Sequence, residues 1–295
     1  MGKNQKVFII CGVHNDLSST KKFLTSLSRQ SYPFIQTIII DDGSSDGSSN
    51  YIKKKYPQVK ILQGDGNLWW TGSIYWGVKE SLKYAKVEDF ILTINNDCTF
   101  DKNFVDMLVR TSIEHNRAIV GSLILGNKST SKIYDAGIQI DWSKGRLIPL
   151  GPTSINDLPN DKNVQDQIDT ISTKGTIYPI EVFHKIGNFD KKHLPHYISD
   201  YEFACRAKAH GFKLILSYKA RIYNDVQRTG FGDFNSNQFI IKKLNNLFFS
   251  RKSKINIIDH FWFITLCCPR QYKLQNYLLL IGKVLYLILT KLGIS

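Results

Sequence analysis

The chain has 295 residues, 42% hydrophobic and 22% charged, which leaves one large or two small domains and excludes collagenous, mucin-like and wholly disordered classes. Lys and Arg outnumber Asp and Glu 39 to 25, a net charge of +14 that invites a polyanionic partner such as nucleic acid, an anionic membrane or a phosphorylated substrate. Residues 236–295 hold nine of the basic residues and only one acid, Asp259, so much of the excess is C-terminal. The five cysteines at 11, 98, 205, 267 and 268 form no CxxC pair, as expected of a reduced, cytoplasmic protein. The N-terminus lacks an apolar run before Val7, so no signal peptide is expected.

In chain order, Val7 to Gly12 predicts a strand, and Phe23, Leu24 and Leu27 behind a cap at Ser18–Ser19 predict a helix. The unit repeats: strand Thr37 to Ile40, helix Asn50 to Tyr56, strand Val59 to Leu62, helix Gly72 to Tyr84, strand Phe90 to Ile94. A helix over Asn103 to Glu114 and a strand over Ala118 to Leu125 follow. Continuous apolar strands alternating with helices predict an α/β fold whose mostly parallel sheet is covered on both faces. Ile133 to Trp142 and Arg146 to Leu150 read as a two-stranded excursion, followed by a flexible polar loop to Asp169. A strand at Thr170 to Thr173, helices at Ile180 to Ile186 and Ser199 to His210, and strands at Lys213 to Leu216 and Ala220 to Tyr223 complete a domain of residues 1–235. Residues 236–295 form a helical, aromatic-basic extension.

Ligands of open parallel sheets bind beyond the carboxyl ends of the strands. Here those ends deliver His14-Asn15-Asp16, Asp41-Asp42-Gly43-Ser44, Gly64-Asp65-Gly66-Asn67 and Asn95-Asn96-Asp97. Singly these are also good turn and cap sequences. Trp69 stands where a dinucleotide fingerprint needs its third glycine, and no P-loop is present. Asp97 closes an apolar strand, and a hard divalent ion bridging a diphosphate needs only one or two carboxylates. Ser199 and Glu202 are spaced as a capping box, which leaves Asp200 in the first helical turn to accept a proton. Trp69 and Trp70 can contact a sugar ring or serve as core.

Five pieces in order resemble the inverting family 2 glycosyltransferases of GT-A fold, particularly bacterial rhamnosyltransferase-like members. They are Val-His-Asn (13–15), Ile-Asp-Asp-Gly-Ser-Ser-Asp-Gly (40–47), Gly-Asn-Leu-Trp-Trp-Thr-Gly (66–72), Asn-Asn-Asp (95–97), and Phe-His-Lys-Ile-Gly-Asn-Phe-Asp (183–190) leading to Ser-Asp-Tyr-Glu-Phe-Ala-Cys-Arg-Ala (199–207). The resemblance implies that His14, Asn15, Asp42, Ser44, Asn67 and Gly72 line a nucleotide pocket. It also implies that Asp97, joined by Asp225, holds Mg²⁺ or Mn²⁺, and that Asp200 is the general base on the acceptor. Ser199 stands in place of the family's Glu and Asn95 in place of its first metal-motif acid. The implied reaction is inverting transfer from a dTDP- or UDP-sugar to a glycan or lipid-linked acceptor in cell-surface polysaccharide synthesis.

Tyr277 to Leu289 is too short for the roughly twenty residues of a spanning helix. With Phe261, Trp262, Phe263 and the nearby basic residues it reads either as an element on the inner face of an anionic membrane or as a helix packed on the domain or a second copy. No nucleic-acid-binding motif accompanies the charge, so nucleic acid is not an expected partner. Two other readings are a sugar nucleotidyltransferase, whose Gly-rich, Arg-containing loop is missing, and a non-catalytic GT-A-like scaffold that binds lipid or polyanion.

Overall fold

The structure, a computed structural model, describes residues 5–126, 128, 130–224 and 240–292. The first half alternates strand and helix: β1 (Val7–Val13), α1 (Leu17–Ser28), β2 (Ile35–Asp41), α2 (Ser48–Lys55), β3 (Lys60–Gln63), α3 (Trp69–Ser81) and β4 (Phe90–Thr93). β1 is central, parallel to β2 with Val7 opposite Ile35 and parallel to β4 with Val7 opposite Phe90. Its residues are buried on both faces because successive side chains feed two cores. Val7, Ile9 and Cys11 meet Phe23, Leu24 and Leu27 of α1, while Phe8 and Ile10 meet Ile74 and Val78 of α3. Gly77 lets α3 sit this close: a Cβ there would overlap Ile10 and Ile40. The N-cap of α1 is Asp16 rather than Ser18 or Ser19, since its Oδ1 accepts from Ser19 N–H at 3.1 Å.

The second half contributes β5 (Cys98–Phe100), α4 (Phe104–Glu114), β6 (Ile119–Leu125), β7 (Ile133–Asp135), β8 (Ile138–Asp141), β9 (Arg146–Pro149), β10 (Val164–Gln165), β11 (Thr176–Pro179), α5 (Ile180–Ile186), α6 (Ser199–Ala209) and β12 (Leu214–Asn224). Strand order across the main sheet is β10-β12-β6-β11-β4-β1-β2-β3, with β5 on β12 and β7 on β6. The β1–β4 half is parallel, and β11 inserts antiparallel between β4 and β6. The expected strand Thr170–Thr173 is replaced by an isolated bridge from Thr170 to Ile138; the strand starts after Gly175, whose positive φ of 73° turns the chain. The two strands expected at 213–216 and 220–223 are one, interrupted by a register shift between Ser217 and Arg221. The polar loop expected to be flexible is pinned near its end, because Val164 and Gln165 pair with β12 and Tyr218 N–H donates to the Asn163 carbonyl.

The expected boundary at 235/236 lies outside the described residues. Beyond it come α7 (Ile240–Phe249), α8 (Ile257–Cys267) and α9 (Arg270–Leu292). α8 lies on α6 and buries Phe263 and Ile264. One face of α9 grips the turn between β8 and β9: Gln275 Nε2 donates to Ser143 O at 2.6 Å and Asn276 Nδ2 to Trp142 O at 2.8 Å. Among the described residues no helix is long and apolar enough to cross a membrane.

Candidate active site

Hydrogen bonds tie the four parallel strand ends into one edge. His14 Nδ1 donates to the Asp42 carbonyl at 2.5 Å. Asn15, at φ +48°, donates its N–H to Ser44 Oγ at 3.0 Å and accepts from Ser45 N–H at 2.8 Å. The buried Asp42 carboxylate takes three backbone donors from the loop after β3: Gly66 N–H at 2.8 Å, Leu68 N–H at 3.0 Å and Trp69 N–H at 3.1 Å. Asp42 therefore shapes the wall on which Asn67 stands exposed and from which α3 departs, with Gly72 buried in its first turns. From α3, Trp70 Nε1 donates to Asn95 Oδ1 at 3.1 Å, and Asn96 Nδ2 donates to Thr20 Oγ1 at 3.1 Å.

Asn95 and Asn96 are thus occupied in holding neighbours, whereas among the described residues the half-buried Asp97 carboxylate receives only a long contact from Cys98 Sγ, 3.5 Å. Opposite Cys98 in the β5–β12 register lies Asn224, whose buried Oδ1 has no hydrogen-bond partner among the described residues. A half-buried carboxylate with so little use at the end of an apolar strand suits a hard cation that takes one or two protein oxygens and fills its remaining positions with phosphate and water. Asp225, the second expected metal ligand, lies outside the described residues. Among the described residues no three His, Cys, Asp or Glu side chains come together as a complete metal cage.

Asp200 sits in the first turn of α6, half-buried. Burial pushes its carboxyl up to about 6, helped by the charge of Asp135 and resisted by backbone hydrogen bonds from Tyr201 and Thr173. Asp135, at the end of β7, is raised by burial as well, with Gly137 N–H at 2.8 Å and the Lys174 ammonium opposing. The expected capping box does not form. α6 is preceded by Ile198 at φ +64°, Ser199 Oγ accepts from Thr71 Oγ1 at 2.8 Å, and Glu202 instead pairs with Arg206 at 2.6 Å. Thr71 N–H also donates to the Pro195 carbonyl, and Thr93 Oγ1 to the Thr173 carbonyl at 2.9 Å. These bonds fasten the start of α6 to α3 and to the end of β4, so Asp200 shares the edge that carries Asp97.

The model for the family described as Glycosyl transferase family 2 matches residues 8–206. The chain belongs to glycosyl transferase family 2. No curated protein matches it by sequence. Among solved structures it is similar to GalNAc-T7, crystallised with UDP, GalNAc and Mn²⁺, at 17% identity and TM-score 0.58, covering 75% of this chain and 44% of that one. It is also similar to S. aureus TarS at 16% identity and TM-score 0.57, covering 91% of this chain and 50% of that one. The chain spans half the length of these proteins or less, and at such identities the likeness establishes the GT-A fold alone.

In this family 2 chain the two tryptophans differ in setting. Trp70 packs edge-on against Phe189 at 6.0 Å, toward the core, while Trp69, held at φ +57°, meets the His196 ring at 5.4 Å and lies beneath Arg251 at 5.8 Å. His196 is lowered to about 4, first by burial and then by Lys252, and its buried Nδ1 has no partner among the described residues. Sequence reasoning missed Asp135, His196 and Asn224. His196 had a faint signal in the run His193-Leu194-Pro195-His196 just before Ser199-Asp200. Asp135 had none, because only the fold brings β7 to the start of α6.

Proposed function

We propose that the chain moves a sugar, with inversion, from a UDP- or dTDP-sugar to a hydroxyl of a glycan or lipid-linked acceptor, in the cytoplasm, during cell-surface polysaccharide synthesis. The observation that carries this reading is Asp200: a carboxylate tuned to about 6 at the same sheet edge as the strand-end residues His14, Asn15, Asp42, Ser44 and Asn67. Near neutral pH such a group is ionised yet basic enough to take a hydroxyl proton as that oxygen attacks. The acceptor oxygen bonds to the anomeric carbon, the bond from that carbon to the diphosphate oxygen breaks with its electron pair, and the proton stays on Asp200. A single displacement from the face opposite the leaving group inverts the anomeric centre.

Asp97, the Asn224 oxygen and Asp225 are the groups that would hold Mg²⁺ or Mn²⁺, which supplies positive charge for the departing diphosphate. The UDP and Mn²⁺ of the GalNAc-T7 structure support that choice of donor and ion. His14, Asn15 and Ser44 present polar groups to the nucleotide, Gly72 keeps the start of α3 slim beside it, and Trp69 offers its face to a sugar. The scaffold reading draws on Ser199 and Asn95, but both have structural partners, Thr71 and Trp70, which accounts for them without loss of turnover.

Replacing Asp200 by Asn is expected to lower transfer by roughly 10²–10⁴-fold while leaving intact the melting-temperature rise produced by UDP or dTDP with Mn²⁺. Wild-type turnover in Asp200→Asn would sink the base assignment. Pyrophosphate release from a sugar phosphate and a nucleoside triphosphate would show a nucleotidyltransferase instead.

A further inference from the structure

One side of α9 is committed to the protein, through Gln275 and Asn276 on the β8–β9 turn and Tyr277 stacked on Phe261 at 5.3 Å. The other side is bare. Leu274, Leu278, Ile281, Leu285 and Leu289, recurring every three or four residues, are 73, 60, 55, 55 and 44% exposed. At 100° per residue they form one stripe about 24 Å long. A continuous apolar stripe of that length marks an interaction surface, unlike scattered exposed leucines.

Charge decides what covers it. α9 contains no Asp or Glu, and the only acid after residue 235, Asp259, is 3% exposed. Arg270 lies beside the stripe on the helical wheel and Lys291 belongs to the last turn of the helix, whereas Lys273 and Lys283 are held on the protein side, donating to the Thr265 and Gly145 carbonyls at 2.7 and 3.2 Å; with nine basic residues against one buried acid after residue 235, the extension is nonetheless strongly cationic. A second copy would bring the same cations against themselves, whereas an anionic bilayer complements them. We propose that this face of α9 docks at the surface of an anionic lipid bilayer, its leucines in the headgroup–acyl boundary and its basic residues among the headgroups.

The extension that carries the docking helix borders the catalytic edge through α8 and the segment before it. Trp262 of α8 lies 4.0 Å from the His193 ring, in the segment leading to Asp200, and Arg251 lies over Trp69. Docking would therefore bring the acceptor side of the site to the membrane and favours a lipid-linked acceptor. That last step rests on the glycosyltransferase reading; the docking itself does not.

The test is co-sedimentation of the full chain with phosphatidylcholine vesicles containing phosphatidylglycerol, against phosphatidylcholine alone, with the UDP–Mn²⁺ melting shift measured in parallel. Binding is expected only to the anionic vesicles, weakening as salt rises. Leu278→Gln with Leu285→Gln should weaken partition roughly tenfold or more at an unchanged melting temperature. Arg270→Gln with Lys291→Gln should weaken it about tenfold or more by a separate route. No binding, equal binding to neutral vesicles, or indifference to both double variants overturns the proposal. So does a wild-type dimer that Leu278→Gln with Leu285→Gln converts to monomer, which would mean that a second copy covers the stripe. Vesicle binding without a nucleotide shift would overturn the catalytic reading alone, and the reverse pattern the docking alone.

Discussion

Asp200 is ionised at neutral pH only against the cost of its own burial, and that cost has two measurable consequences. Its carboxyl lies near 6 in the folded chain against an ordinary value of 3.8. In its proposed role as base it must be unprotonated, so kcat/KM should climb about tenfold per pH unit below 6 and flatten above it. The same shift links to stability in the opposite sense. The native state holds the proton more tightly, so this contribution is fully present below about pH 4 and is lost as pH rises through 6. Asp200→Asn should therefore stabilise the protein at pH 7 by on the order of 2 kcal/mol while removing activity. A variant that is inactive and also less stable would point to a collapsed site rather than a missing base. Asp42 behaves differently, because its carboxylate accepts from Gly66, Leu68 and Trp69 N–H groups. Asp42→Asn should cost about 1.5–3 kcal/mol in urea unfolding, since one face of the amide donates where the backbone also donates. No loss of stability would show that the loop after β3 holds its shape without that anchor.

The elements legible in the sequence are those whose burial is two-sided. β1, β2 and β4 read as unbroken apolar runs because α1 covers one face and α3 the other, and the polar clusters that follow them mark the edge at which the proposed nucleotide site lies. Local pattern failed where pairing partners decide. Thr176–Pro179 carries no alternation and ends in Pro179, yet becomes a strand because β4 and β6 leave a gap that it fills antiparallel. Asp200 was visible from its motif, but Asp135, 65 positions earlier in the chain, becomes its neighbour only through β7 pairing with β6. Asn224 likewise gains meaning only from its register with Cys98. The closeness of α3 to β1 gives a prediction at this scale. In Gly77→Ala the new methyl would overlap Ile10 and Ile40, so the variant should lose about 1–3 kcal/mol despite the better helix propensity of Ala. A gain in melting temperature would mean that α3 can slide outward without loss.

Across the whole molecule the question is whether α7 to α9 unfold with the sheet or apart from it. They span residues 240–292, a length at which a chain buries too little surface to hold a core alone. α8 instead borrows one: Phe263 and Ile264 are 5 and 7% exposed, Phe263 meets Trp142 of the β8–β9 turn at 5.5 Å, and Trp262 meets His193. Trp142 therefore reports on the junction and Trp70, bonded to Asn95, on the catalytic edge. In chains keeping only one of these tryptophans as the fluorophore, with the remaining four replaced by Phe, the urea midpoints should coincide, because removing α8 would strip the cover from part of the sheet domain. If Trp142 reports an earlier transition than Trp70, the extension is a separately melting unit. Its hold on the Trp69–His196 side would then be loose enough for membrane docking to reposition it without disturbing the sheet.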